Sequence, residues 1–325
     1  MSRPLLEVQG LSVEYDVGRE GFWGQRHTRL RAVDDISFSV ERGQTFGLVG
    51  ESGSGKTTTG RAILGQVPIS KGRIIFDGQE ITRMDGRQLR SMRQNMQLIP
   101  QNPYGSLNPR MNVRDLIAEP LVVHRRVRNA RQATERAVEL LELTGMSAAD
   151  LHKYPHAFSG GQRQRIVIAR ALALNPHLII ADEPVSALDV SIQAQVVNLL
   201  QDLQERLRLT YIFISHDLAV VRHISHRIGI MYAGKLVERA DRDRIYQNHI
   251  HPYTEALLSS VPIPDPTVER ARRGEVLPGE PPDPISPPAG CRFHTRCPLS
   301  QARCVEDEPP MENRAPAHQV ACWVR

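Results

Sequence analysis

The chain has 325 residues, of which 40% are hydrophobic, 24% charged and 5% aromatic, and its formal net charge is +5. That length and apolar content allow one or two domains with a sizeable core. No uninterrupted apolar run approaches the roughly 20 residues of a spanning helix, and Met1 to Tyr15 lacks a signal-peptide core, so a cytosolic chain is expected, with any membrane work left to other subunits.

In chain order, the first hundred residues read as antiparallel strands around one parallel strand and its helix. Leu11 to Tyr15 is strand-like, whereas Gly18 to Arg31, rich in Gly and Arg and holding Phe22 and Trp23, breaks the pattern and reads as an exposed loop. The apolar strand Thr45 to Val49 then runs into Gly50-Glu51-Ser52-Gly53-Ser54-Gly55-Lys56-Thr57, followed by Thr58 in the opening helix. A glycine-rich turn between strand and helix aims backbone N–H groups at a phosphate. Lys56 would neutralise the β/γ oxygens, and Thr57 would offer its hydroxyl to Mg²⁺. A nucleoside triphosphate is therefore the expected ligand, with Thr58 counted in the cradle.

From Asn112 to Gly145 the apolar spacing turns helical, through Val113, Leu116 and Ile117 and then Ala133, Ala137, Leu140 and Leu141. The basic run Arg125 to Arg131 within it is short and leads into a helix, so it reads as a solvated face. No stacking aromatic array accompanies it, and nucleic acid is not expected as a partner. Phe158-Ser159-Gly160-Gly161-Gln162 follows, with Ser159 placed to cap a helix whose bare N–H groups form an anion site without a lysine. His177 to Glu183 reads as a buried parallel strand ending in two carboxylates. Asp182 would hold Mg²⁺ through water, and Glu183 would polarise an attacking water. A third strand, Thr210 to Ile214, ends in Ser215-His216-Asp217, where a neutral His216 can hydrogen-bond a γ-phosphate or the water. Helices are expected near Ser191 to Leu207 and Leu218 to His223, alternating with the strands as a parallel sheet requires.

Taken together, these motifs resemble the ABC ATPases. The resemblance implies an α/β P-loop NTPase fold with a mixed sheet core, an antiparallel β subdomain and a helical subdomain at about 103–172. It makes Gln101 the glutamine that senses Mg²⁺ and faces the membrane subunits, Ser186-Ala187-Leu188-Asp189 the loop that crosses a dimer, and Tyr15 the aromatic that stacks on adenine. In that family Ser159, Gly160, Gly161 and Gln162 meet the γ-phosphate held by the partner subunit, so one chain carries two half-sites. Gln101 to Pro109, the run His251-Pro252-Tyr253-Thr254 with Leu257, Leu258 and Ser259 to Pro262, and a cysteine-bearing tail are similar to the ATPase subunits of oligopeptide/dipeptide importers, nearest the F-type subunit.

What this resemblance implies is an ATPase domain over residues 1–260 and an importer-type extension over 261–325. The chain would sit at the cytoplasmic face of the inner membrane, paired with a paralogous ATPase as a heterodimer and docked on two transmembrane permease subunits, with an extracytoplasmic solute-binding protein acting indirectly. Nickel or glutathione importers share the branch, so the solute stays open, and a soluble ABC ATPase is the other class.

Pro262 to Pro288 is proline-rich and reads as a linker or wrap. All four cysteines lie in the tail: Cys291, Cys297, Cys304 and Cys322, separated by five, six and seventeen residues. In a cytosolic chain such a cluster suits four-thiolate ligation of either a [4Fe–4S] cluster or Zn²⁺. There is no Cys-x-x-Cys pair, and the resemblance implies the [4Fe–4S] cluster.

Overall fold

A computed structural model describes residues 3–20, 26–261 and 279–325. Its contacts divide into two compact units, one from Met1–Val40, Thr45–Thr82 and Ser215–Arg325, the other from Glu41–Gln44 and Arg83–Ile214. The chain enters the first unit with strands β1 (Leu6–Glu20), β2 (Arg26–Val40) and β3 (Thr45–Val49), helix α1 (Lys56–Ile63), and strands β4 (Lys71–Phe76) and β5 (Gln79–Glu80). The second unit then holds α2 (Gly86–Met92), β6 (Met96–Ile99), α3 (Pro103–Ser106), α4 (Val113–Val123), α5 (Ala130–Leu143), α6 (Gly160–Leu172), β7 (Leu178–Asp182), α7 (Val190–Leu207) and most of β8 (Thr210–Ser215). The return to the first unit brings α8 (Leu218–Ile224), β9 (Arg227–Tyr232), β10 (Lys235–Asp241), α9 (Arg242–Asn248), α10 (Pro252–Ser259), a short helix Ala302–Glu306, β11 (Glu312–Ala315) and β12 (His318–Val320).

In the first unit β2, β1, β4 and β5 form an antiparallel sheet in that order. Leu6, Val8, Leu11 and Val13 of β1, Val33, Ile36 and Phe38 of β2, and Ile74 and Phe76 of β4 are buried, as alternation on a one-sided sheet requires. The expected loop at Gly18 to Arg31 is corrected here. β1 continues to Glu20 and β2 begins at Arg26, with backbone partners such as Asp16 with Arg29 and Gly18 with Thr28. Glu14 bridges Arg29 at 3.4 Å and Arg31 at 3.2 Å. A polar ribbon pairs through its backbone and leaves no hydrophobic alternation to read. Phe22 and Trp23, within that stretch, lie outside the described residues.

β3 pairs in parallel with β9, Val49 opposite Ile230. β9 turns back antiparallel into β10 through Ala233 and Gly234, both at positive φ (44° and 85°), as a two-residue hairpin turn demands. β10 then pairs with β12, and β12 with β11, so the tail adds strands to this unit's sheet. Inside it, buried Glu238 accepts from His318 Nε2 at 2.6 Å and from the backbone N–H of Ile250 (2.7 Å) and His251 (3.1 Å). A fully buried carboxylate persists only with such partners.

In the second unit β6, β7 and β8 run parallel, with Leu98 opposite Ile180 and Asp182 opposite Ile214. The strands at Leu178 and Thr210 and the helices at Val190 and Leu218 stand where the sequence placed them. Val113, Leu116 and Ile117 of α4 and Ala133, Ala137, Leu140 and Leu141 of α5 are all buried, the faces expected from their spacing. Asn112 and Asn129 cap these helices through Asp115 N–H and Gln132 N–H.

Candidate functional site

The phosphate loop and His216 belong to the first unit, and Gln101, Ser159 to Gln162, Asp182, Glu183 and Asp189 to the second. In the loop, Gly55 stands at φ 102° as the residue before α1, a conformation that costs an L side chain about 1–2 kcal/mol. A Cβ at Gly50 would overlap the Met231 carbonyl, so glycine is required there for close packing. Lys56 is 4% exposed. Its ammonium donates to the carbonyls of Gly50 (2.7 Å) and Glu51 (2.8 Å), with Ser54 Oγ at 3.4 Å. The loop is thus folded around its own cation. Thr57 and Thr58 are half-buried in the first turn of α1.

In the second unit, Asp182 is buried at the end of β7, and Glu183 follows it in the left-handed region at φ 47°. Its N–H donates to Ile214 at 2.9 Å. Gln101 Nε2 donates to Glu183 Oε2 at 2.7 Å, which brings together two of the residues singled out in the sequence. Ser159 caps α6 in a reciprocal box, accepting from Gln162 N–H (3.3 Å) while Ser159 N–H donates to Gln162 Oε1 (3.0 Å). A Cβ at Gly161 would meet Ile192 Cγ2 at 2.5 Å, so α7 requires a glycine there. The loop Ser186 to Asp189 is tied to α7, with Ile192 N–H and Gln193 N–H donating to Asp189 carbonyl. Tyr104, 58% exposed, carries the Arg163 guanidinium 4.3 Å from its ring centroid, a pairing that links the segment after Gln101 to the signature helix.

His216 is exposed just past β8, where Asp217 caps α8 through Ala219 N–H (2.7 Å). Tyr15 is half-buried in β1 opposite Leu30. One loop partner escaped the sequence reading. Glu51 N–H donates to Tyr253 Oη at 3.0 Å, although Tyr253 was singled out only as part of the run His251 to Thr254.

The four cysteines are unbridged, Cys304 and Cys322 buried and Cys291 and Cys297 half-buried. Burial, aided by the charges of the other three thiols, pushes Cys291 up to about 11. Burial also raises Cys297, within the field of Cys322 and Cys304. Cys291 N–H donates to Cys304 carbonyl at 2.8 Å. Among the described residues, no group of three or more His, Cys, Asp or Glu is arranged to hold a metal ion.

Comparison with known proteins bears on this arrangement. The ABC transporter family profile matches residues 33–186, and the profile for the oligopeptide/dipeptide transporter C-terminal region matches 237–304. The oligopeptide transport ATP-binding protein AppF of Bacillus subtilis is 50% identical over 319 residues, 98% of this chain and 96% of that relative. The chain belongs to the ABC transporter ATPases, in their oligopeptide/dipeptide branch. OppF of Escherichia coli is 48% identical across 98% of this chain and 95% of its own length. Among solved structures, the dimeric post-hydrolysis ATP-binding cassette MJ0796, bound to ADP and Pi, matches with a TM-score of 0.65 and 26% identity over 73% of this chain and 98% of that one. As a member of the family this ABC ATPase binds and hydrolyses ATP, and Mg²⁺ is the expected metal. Among its described residues no helix is long and apolar enough to cross a membrane.

Proposed function

We propose that this ABC ATPase powers uptake of di- and oligopeptides as a peripheral subunit at the cytoplasmic face of the membrane, docked on two permease subunits. The observation that carries this reading is the 50% identity, over 319 residues, to AppF, named for oligopeptide transport, together with the match of residues 237–304 to the oligopeptide/dipeptide C-terminal region. Residues 1–260 are the ATPase domain in this reading, with 103–172 the helical part, and 261–325 the extension.

In the catalytic cycle the loop N–H groups and Lys56 bind the triphosphate, and Thr57, Asp182 and Gln101 are the candidate Mg²⁺ ligands. The metal supplies charge neutralisation on the transferring phosphoryl group. Glu183 takes the proton of the attacking water as its oxygen bonds to the γ-phosphorus and the bond to ADP breaks, while Gln101 orients the carboxylate through the 2.7 Å hydrogen bond. His216 contacts the γ-phosphate, and Tyr15 stacks on adenine. Ser159, Gly160, Gly161, Gln162 and Asp189 serve the site of the opposing subunit, a dimeric arrangement supported by the dimer of MJ0796. That subunit is a paralogue, and a solute-binding protein outside the membrane delivers the peptide.

Cys291, Cys297, Cys304 and Cys322 are assigned to a [4Fe–4S] cluster, with Zn²⁺ the competing occupant. Support comes from the all-thiol donor set and from the contact of Cys291 N–H with the Cys304 carbonyl at 2.8 Å. The cluster would supply cross-links that order a proline-rich tail.

Affinity purification from membranes should recover two polytopic proteins and a second ATPase, and vesicles holding the complex should take up peptide on addition of MgATP. Uptake of nickel but not peptide would reassign the solute. Two copies of this chain with no paralogue, by intact mass, would overturn the heterodimer.

A further inference from the structure

Glu51 occupies a position of the phosphate loop whose side chain the motif leaves unspecified, and its carboxylate is adverse there, since a negative charge beside a polyphosphate site repels the ligand. The structure answers that charge from the far end of the chain. Arg296, 6% exposed, donates Nη1 to Glu51 Oε2 at 2.9 Å and lies 3.4 Å from Tyr232 Oη. Between the two cysteines that bracket this segment, Phe293 is 1% exposed and packs edge-on to Tyr232, ring centroids 5.2 Å apart, and at 5.4 Å from Tyr253. Tyr253 in turn accepts from Glu51 N–H. Arg292, also buried, donates to the carbonyl of Ala233 and to the Asp34 carboxylate. The next residue, Gly234, donates its N–H to Ser54 carbonyl at 3.0 Å. The loop is therefore gripped at Glu51 and, through the β9–β10 turn, at Ser54.

A guanidinium buried this deeply costs several kcal/mol unless it is paired. Glu51 is its ion-pair partner, and that partner sits in the ATP cradle. We propose that Arg296 is a positioning residue for nucleotide binding: it neutralises Glu51 and holds the phosphate loop open to the triphosphate, which makes the cysteine-bearing tail part of the ATP site. The proposal rests on the ATPase reading of that loop. Residue 296 touches none of the reacting atoms, so its effect falls on affinity and spares turnover.

The test titrates full-length protein with MgATP and measures hydrolysis by the assembled complex. Arg296→Gln should weaken ATP binding about tenfold, the size of one unmasked like charge at a partly exposed site, with kcat within about twofold at saturating ATP. Arg296→Gln with Glu51→Gln should return affinity to within about threefold of the parent, because the unmasked charge is gone. A folded Arg296→Gln protein with parental affinity would overturn the proposal, as would a tenfold loss that Glu51→Gln fails to relieve. Lys56→Ala run in parallel separates the two readings. If it too keeps parental ATP affinity, the nucleotide assignment of the loop is what fails.

Discussion

Lys56→Ala tests two properties of one side chain. In the loop the ammonium donates to the Gly50 and Glu51 carbonyls at 2.7 and 2.8 Å from a position only 4% exposed. Hydrogen bonds from a charged donor contribute about 1.5–3 kcal/mol each, and water admitted past exposed Ser52 and Gly53 restores part of that, leaving a net loss of about 2 kcal/mol. With an unfolding entropy of about 2.1 cal/mol/K per residue, a 325-residue chain melting as one loses about 3 °C. The second effect is on ligand. ATP at about a hundred times Kd stabilises the parent by about 2.7 kcal/mol, or roughly 4 °C. Removing the cation assigned to the β/γ oxygens should weaken binding about a hundredfold, so the same ATP concentration then adds only about 0.4 kcal/mol, under about 1 °C. Differential scanning fluorimetry with and without MgATP reads both. An ATP-induced shift above about 3 °C in the variant would refute the cradle assignment, and an unchanged ligand-free Tm would refute the internal latch.

Glu183→Gln preserves shape and the contact with Gln101, so ATP affinity should stay within about threefold while hydrolysis by the assembled complex falls by about 10²–10⁴. Near-parental turnover would remove Glu183 from its role. His251 is buried, its Nδ1 accepts from Tyr253 N–H at 3.0 Å, and burial pushes its pKa down to about 4 from 6.5. The unfolded chain then binds a proton that the folded chain refuses, so this contribution is complete above about pH 6.5 and falls by on the order of 3 kcal/mol toward pH 4. Urea midpoints taken between pH 7 and 4.5 should show that slope, and His251→Asn should flatten it. Anaerobically purified protein should be brown and hold iron and acid-labile sulfide in near-equal amounts; colourless protein with one zinc per chain would assign the cysteines to Zn²⁺.

Most of the residues assigned above to phosphate were legible in the sequence because that chemistry is local. A turn of glycines between Val49 and Lys56, a serine capping α6, and two carboxylates at the end of β7 each follow from a few adjacent residues and the backbone geometry they permit. The buried faces of α4 and α5 were equally plain, since a helix repeats its core contact every three to four residues. The ribbon of β1 and β2 beyond Asp16 was not. Its strands are held by paired backbone, and polar side chains leave no period to detect.

The remote contacts lie furthest from the sequence. Local residue order determined a glycine turn running into the helix at Lys56, a serine cap on α6 and an acid at the end of β7. Only the tertiary structure decided that Arg296, 245 positions away, answers the charge of Glu51. It also decided that Tyr253 receives the Glu51 N–H and that the short polar strands β11 and β12 complete a sheet with β10. A motif is a property of neighbouring backbone, whereas a buried ion pair or an added strand exists only where the folded chain removes two distant segments from water together.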